Sequence, residues 1–111
     1  MVASRRYERV GFLCKLELKA VPEGVPQPAR SIDLSLGGVG VVTQAAFAVG
    51  DLVAVAFIFK TYDLKPIRDE VVGRTVNLVA DTDANLIGIQ FLHVLTESEH
   101  PELVAKLMCS V

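Results

Sequence analysis

The chain has 111 residues, enough for one domain of ordinary size and too few for two. It is 51% hydrophobic, with Lys+Arg 11 against Asp+Glu 13 and a formal net charge of -2. That balance excludes a protein living on non-specific nucleic-acid contacts, which needs a basic surface, and so much apolar residue implies elements buried on both faces or an apolar surface kept for a partner.

The only basic cluster is Arg5, Arg6 and Arg9, on an N-terminal arm expected over 1–10. From Gly11 the pattern alternates. Phe12, Cys14, Leu16 and Leu18 fall on one face and Lys15, Glu17 and Lys19 on the other, which predicts a half-buried strand. Pro22, Gly24, Pro26 and Pro28 predict a loop. A second strand is expected from about Arg30 to Leu34, with Ile32 and Leu34 facing away from Asp33 and Ser35. Gly37, Gly38 and Gly40 predict a turn made cheap by positive φ, and 39–43 a third short strand.

After a turn at Val49-Gly50-Asp51, the run 52–59 is apolar at both parities, as in a strand covered on both sides. Residues 63–69 are polar and contain Pro66, so a loop is expected. Strands are predicted over 70–80 and 86–95, joined by turn chemistry at 81–85. Thr96 with Glu99 has the form of a capping box. Leu103, Val104, Leu107, Met108 and Val111 then follow helical spacing, predicting a helix over 96–111 lying against the 52–59 strand. The sum is an all-β dominated fold: an antiparallel barrel of about six strands over 11–95 with a C-terminal α-helix.

Two motifs stand out. Arg5-Arg6-Tyr7-Glu8-Arg9 is an R-x-x-x-R immediately before the first strand, and Asp33-Leu34-Ser35-Leu36-Gly37-Gly38 is a D-x-S-x-x-G. In this order and about two dozen residues apart, they resemble the two-part signature of the PilZ family, and Gly88-Ile89-Gln90-Phe91 resembles the late G-x-x-F strand of such domains. The resemblance covers nearly the whole chain. It implies a PilZ-type β-barrel, a single domain over 1–111, and binding of the bacterial messenger cyclic di-GMP. It places Arg5 and Arg9 on phosphates and guanine, Asp33 and Ser35 on a guanine edge, and Gly38 in the loop, with Arg6 as an auxiliary contact. Motility and biofilm control are functions compatible with the family.

The chemistry of these residue types agrees. Guanine offers O6 and N7 as adjacent acceptors that an arginine fork meets in bidentate fashion, and phosphate contacts of arginine are charge-assisted. The N1-H and N2-H₂ donors of guanine match a carboxylate such as Asp33. The expected mechanism is an arm ordered by its ligand, which alters the surface shown to a separate downstream protein. A homodimer is also compatible with the apolar content. The alternative is a ligand-independent PilZ-fold adaptor in pilus or motility protein assembly.

Other chemistries find less support. Asp81, Asp83 and Asn85 imitate the start of a calcium loop, but Leu86 and Leu92 stand where it needs glycine and glutamate. Cys14 and Cys109 form no C-x-x-C pair and have no histidine at zinc spacing, so free thiols and no metal site are expected. His93, among Phe91, Leu92 and Val94, reads as a packed or edge histidine. Ser35 lacks the G-x-S-x-G context of a nucleophile elbow, and no phosphate loop is present, so the chain reads as a non-enzyme without a cofactor. The longest apolar run falls far short of the roughly 20 residues that span a bilayer, and no signal peptide opens the chain. A cytoplasmic protein without membrane insertion, DNA or RNA is the expectation.

Overall fold

The structure, a computed structural model, describes residues 7–109. It contains β1 (Val10–Gly11), β2 (Lys15–Ala20), β3 (Gln27–Ser35), β4 (Gly38–Thr43), β5 (Leu52–Lys60), β6 (Pro66–Ala80), β7 (Asn85–Phe91) and α1 (Pro101–Cys109). The sheet runs β1-β3-β2-β5-β6-β7-β4, every pair antiparallel, and a further β3–β4 pairing closes it. The result is a six-stranded barrel, with β1 a short outrider of β2 on the same partner strand.

Alternation in the first strand produces what it predicts: Cys14, Leu16 and Leu18 are buried and Phe12 packs partly against the same core. Yet the strand is broken. Val10 pairs with Leu34 and Lys15 with Arg30, so one residue is gained between them. Leu13 is extruded into solvent at 85% exposure. Opposite it, the β3–β4 register slips between Ser31 and Asp33, and Ile32 is 41% exposed whereas Leu34 is sealed. Ile32 and Leu34 therefore do not share a face, because a bulge cancels the period of two on which that expectation rested. The buried Ser31 hydroxyl donates to the Phe12 carbonyl at 2.5 Å and holds the irregular stretch together.

Other boundaries also move. Pro28 lies inside β3, one residue past the last β3–β4 pair, where no ladder donor is required. The polar 63–69 segment is a loop only to Lys65. Pro66 opens β6, whose residues 66–69 pair with β5. Strand β7 stops at Phe91, and the chain then bends, leaving His93 exposed rather than packed.

Thr96 and Glu99 do contact each other, but they close a separate turn. The helix begins at Pro101, a residue suited to a first helical position because its missing N–H is not needed there. Met108 is exposed, and Val111 lies outside the described residues.

Strand β5 is buried at both parities from Val53 to Phe57. Its inward Val53, Val55 and Phe57 join one core cluster with Leu103, Val104 and Leu107 of α1. The outward Ala54 and Ala56 align with Lys19 and Glu17 on one side and Val72 and Glu70 on the other. Their small side chains are hidden by these longer neighbours, so the helix is not what covers the outer face.

Much of the surplus apolar residue sits on the β6–β7 hairpin, where Val76, Leu78, Val79 and Leu86 are exposed. Among the described residues, no helix is long and apolar enough to cross a membrane.

Candidate functional site

The two motifs meet. Residues 7–9 cross the outer face of the barrel beside the hairpin that joins β3 to β4. Arg9 Nη1 lies 2.9 Å from Asp33 Oδ1, both side chains being about one-third exposed (28% and 33%). The Gly40 amide donates to the same Oδ1 at 3.1 Å. Both bonds fall on one carboxylate oxygen, so Oδ2 keeps its acceptor capacity for a further donor.

Ser35 is buried at the end of β3. Its hydroxyl accepts from the Gly37 amide at 3.2 Å and donates to the Gly38 carbonyl at 3.4 Å, stapling the two-residue turn at Leu36 and Gly37. The glycines do not have the backbone expected of them. Among the described residues the sole glycine at positive φ is Gly50 (φ 98).

What the motif glycines provide is space. A Cβ on Gly37 would sit 2.9 Å from Tyr7 Cδ2, so the Tyr7 ring is seated on that glycine. A Cβ on Gly38 would collide with the Ile89 carbonyl of the adjacent strand. Gly38 thus admits β7 to close the barrel.

The same principle shapes the surface beyond. Asp33, Gly40, Gly88 and Asn77 lie in one cross-strand row over β3, β4, β7 and β6. A Cβ on Gly40 would be 2.6 Å from Asp33 Oδ1, and one on Gly88 would be 2.5 Å from Asn77 Oδ1. The carboxylate and the amide therefore lie flat over the two glycines, from opposite sides. The row forms a smooth polar strip with hydrogen-bonding groups at both ends. Gln90 and Arg74 are exposed in the neighbouring row.

Of the residues named from sequence, Arg9, Asp33, Ser35 and Gly38 come together; Arg5 and Arg6 lie outside the described residues. Sequence reasoning missed Tyr7 and Asn77. The available signal for Tyr7 was an aromatic residue set midway between two arginines in the otherwise polar stretch from Ser4 to Arg9. Asn77 had none, since its place follows from the β6 register slip between Thr75 and Asn77.

Elsewhere, Cys14 is a free buried thiol whose single S–H has the Lys15 and Ile58 carbonyls as acceptors, with Sγ 3.3 and 3.4 Å from them. Burial pushes its pKa above the usual thiol value. No cluster of three or more metal-ligating side chains occurs among the described residues.

Comparison with known proteins places the fold. The structure superposes on MotI/DgrA, the inhibitor of motility from Bacillus subtilis, with a TM-score of 0.73 at 13% identity, over 97% of this chain and 52% of that one. It superposes on the PilZ domain of Escherichia coli YcgR with c-di-GMP with a TM-score of 0.67 at 17% identity, covering 94% and 89% of the two chains. The K. pneumoniae MrkH–c-di-GMP complex gives 0.66 at 14% identity, covering 98% and 52%.

At such identities the likeness is one of fold, and the chain spans only about half the length of MotI and MrkH. No curated protein sequence matches. The PilZ domain family model, however, matches residues 3–108. That match and the closed barrel with its C-terminal helix establish the chain as a member of the PilZ domain family.

Proposed function

We propose that the chain is a receptor for cyclic di-GMP and not an enzyme. The observation that carries this reading is the 2.9 Å contact between Arg9 and Asp33, which joins the two motifs at one surface. YcgR and MrkH, two of the structural neighbours, are described in complex with this ligand.

In this reading Arg9 offers its fork to a phosphate or to guanine O6 and N7. Asp33 accepts from the guanine N1-H and N2-H₂ edge. Since Arg9 already occupies Oδ1, one guanine donor takes the open Oδ2, and the other either shares Oδ1 with the arginine or releases it. The glycine strip lets a flat base lie against the barrel, with Asn77 as a second hydrogen-bonding partner. Ser35 and Gly38 act by holding the hairpin and the strand beneath it. Arg5 and Arg6 would close over the ligand from the arm, and that ordering would present a new surface to a downstream protein in the cytoplasm.

The test is isothermal titration calorimetry with cyclic di-GMP, with GMP as control, on wild type and Arg9→Ala. Saturable binding weakened about tenfold or more in the variant is expected, since a charged hydrogen bond contributes roughly 1.5–3 kcal/mol. Absence of binding to folded protein at two temperatures overturns the reading and leaves the ligand-independent adaptor.

A further inference from the structure

A second site lies on the outer face of the barrel, where β2, β3 and β4 run side by side. Lys15 and Arg30 are directly opposite each other across the β2–β3 pair, and both are exposed. Like charges in that position repel and destabilise the sheet. Among the described residues neither takes part in a hydrogen bond or ion pair through its side chain, and the nearby Glu17 is engaged by Arg68 at 3.0 Å. The two cations stand at an open groove of about 460 Å³. Pro28, Val42 and Ala84 give it apolar walls, Gln44 contributes an amide, and no carboxylate lines it. An uncompensated cation pair beside an apolar groove marks a place where local stability is given up for an external anion.

We propose that this groove docks an extended acidic segment of a protein partner, with a carboxylate held between Lys15 and Arg30 and an aliphatic side chain laid on Pro28 and Val42. Charge complementarity selects the carboxylate, and the apolar walls select a peptide over a bare anion. The groove does not overlap the motif residues, but it shares a strand with them. Arg30 precedes Asp33 by three residues on β3, about 10 Å along the strand, with the Ile32 bulge between them. The inference does not depend on cyclic di-GMP, and its test is read without that ligand.

The experiment screens the protein against short synthetic peptides of four compositions: acidic–aliphatic, acidic–polar, neutral–aliphatic and basic–aliphatic. The strongest binder is then titrated into isotopically labelled protein by NMR, with GMP as a small-anion control. The expected result is a preference for acidic–aliphatic peptides, with shifts centred on Lys15, Arg30, Val42 and Gln44.

Lys15→Glu should abolish those shifts while raising the unfolding midpoint by about 2–5 °C, because it turns a repelling pair into an attracting one. Stability gained as binding is lost is the signature of a site rather than of a damaged fold. No dependence on peptide charge, or binding that survives Lys15→Glu, overturns the proposal. So does a GMP titration that moves these residues when peptides do not, which would make the groove a nucleotide subsite.

Discussion

At the residue scale, the Arg9–Asp33 contact contributes little to stability, and the role proposed for Arg9 is in recognition. Both side chains are about one-third exposed, and ion pairs in such settings contribute about 0–1 kcal/mol. Arg9→Ala should therefore leave thermal unfolding almost unchanged while it weakens ligand binding, and a matched loss of both would show that Arg9 is merely structural.

Gly37→Ala tests the other contact of the arm. The added methyl would meet the Tyr7 ring at 2.9 Å, and the ring or the arm must move. Tryptic cleavage after Arg9 should accelerate several-fold, because local opening governs proteolysis, while the barrel melts within a few degrees of wild type. Unchanged cleavage would mean that Tyr7 does not hold the arm down.

Cys14 gives a prediction of opposite character. Burial raises its pKa, so the folded state keeps the proton that the unfolded state surrenders first. The sign follows: stability is unaffected below the usual thiol range and falls as pH rises through it. Thiol reagents should modify Cys14 slowly until the protein unfolds, and rapid labelling at neutral pH would contradict its burial.

The legibility of these residues divides along a physical line. Arg9, Asp33 and Ser35 were readable because their chemistry is local to a motif. Tyr7 on Gly37 and Asn77 over Gly88 were not, because each depends on a neighbour that only the closed sheet supplies.

At the element scale, alternation survived wherever one face meets the core and failed wherever the backbone slips. The Phe12-to-Leu18 face was legible for the first reason, and Ile32 was misplaced for the second. A bulge has no hydrophobic signature, since an extra residue leaves the composition of the strand intact. Prolines misled in a similar way. Pro28 and Pro66 suggested loops but sit at strand positions that need no donor.

The start of the helix was displaced because Thr96 and Glu99 satisfied their pattern in a turn of their own. What ties that region to the barrel is His100, whose Nδ1 lies 2.8 Å from Asp69 Oδ1 on β6, with both side chains largely buried. Lys106 reinforces the attachment from the last turn, with Nζ 5.0 Å from the Tyr62 ring and 5.8 Å from that of Phe59. His100→Ala should cost about 1 kcal/mol and raise hydrogen exchange in α1 before it does so in the strands. Uniform exchange throughout would show that the helix is held by its core residues Leu103, Val104 and Leu107 without help from His100.

At the scale of the whole molecule, the closed barrel makes the site a property of strands far apart in sequence. The glycine strip spans β3, β4, β7 and β6, and its Asp33 end carries the arm that precedes β1. A ligand bound there would touch four strands of the barrel and the arm at once, so it should stabilise the entire cooperative unit and not only the arm. Binding to the native state alone adds RT ln(1 + [L]/Kd), about 2.7 kcal/mol at a hundredfold excess over Kd. For a domain of this size that corresponds to a rise of about 10 °C in the unfolding midpoint. Differential scanning calorimetry with and without cyclic di-GMP measures it directly. The shift should grow with the logarithm of ligand concentration and vanish in Arg9→Ala at concentrations well below the weakened Kd of that variant. If instead the ligand protects Arg9 from trypsin and leaves the midpoint where it was, its contacts are confined to the arm, and the strip between Asp33 and Asn77 is not where the base lies.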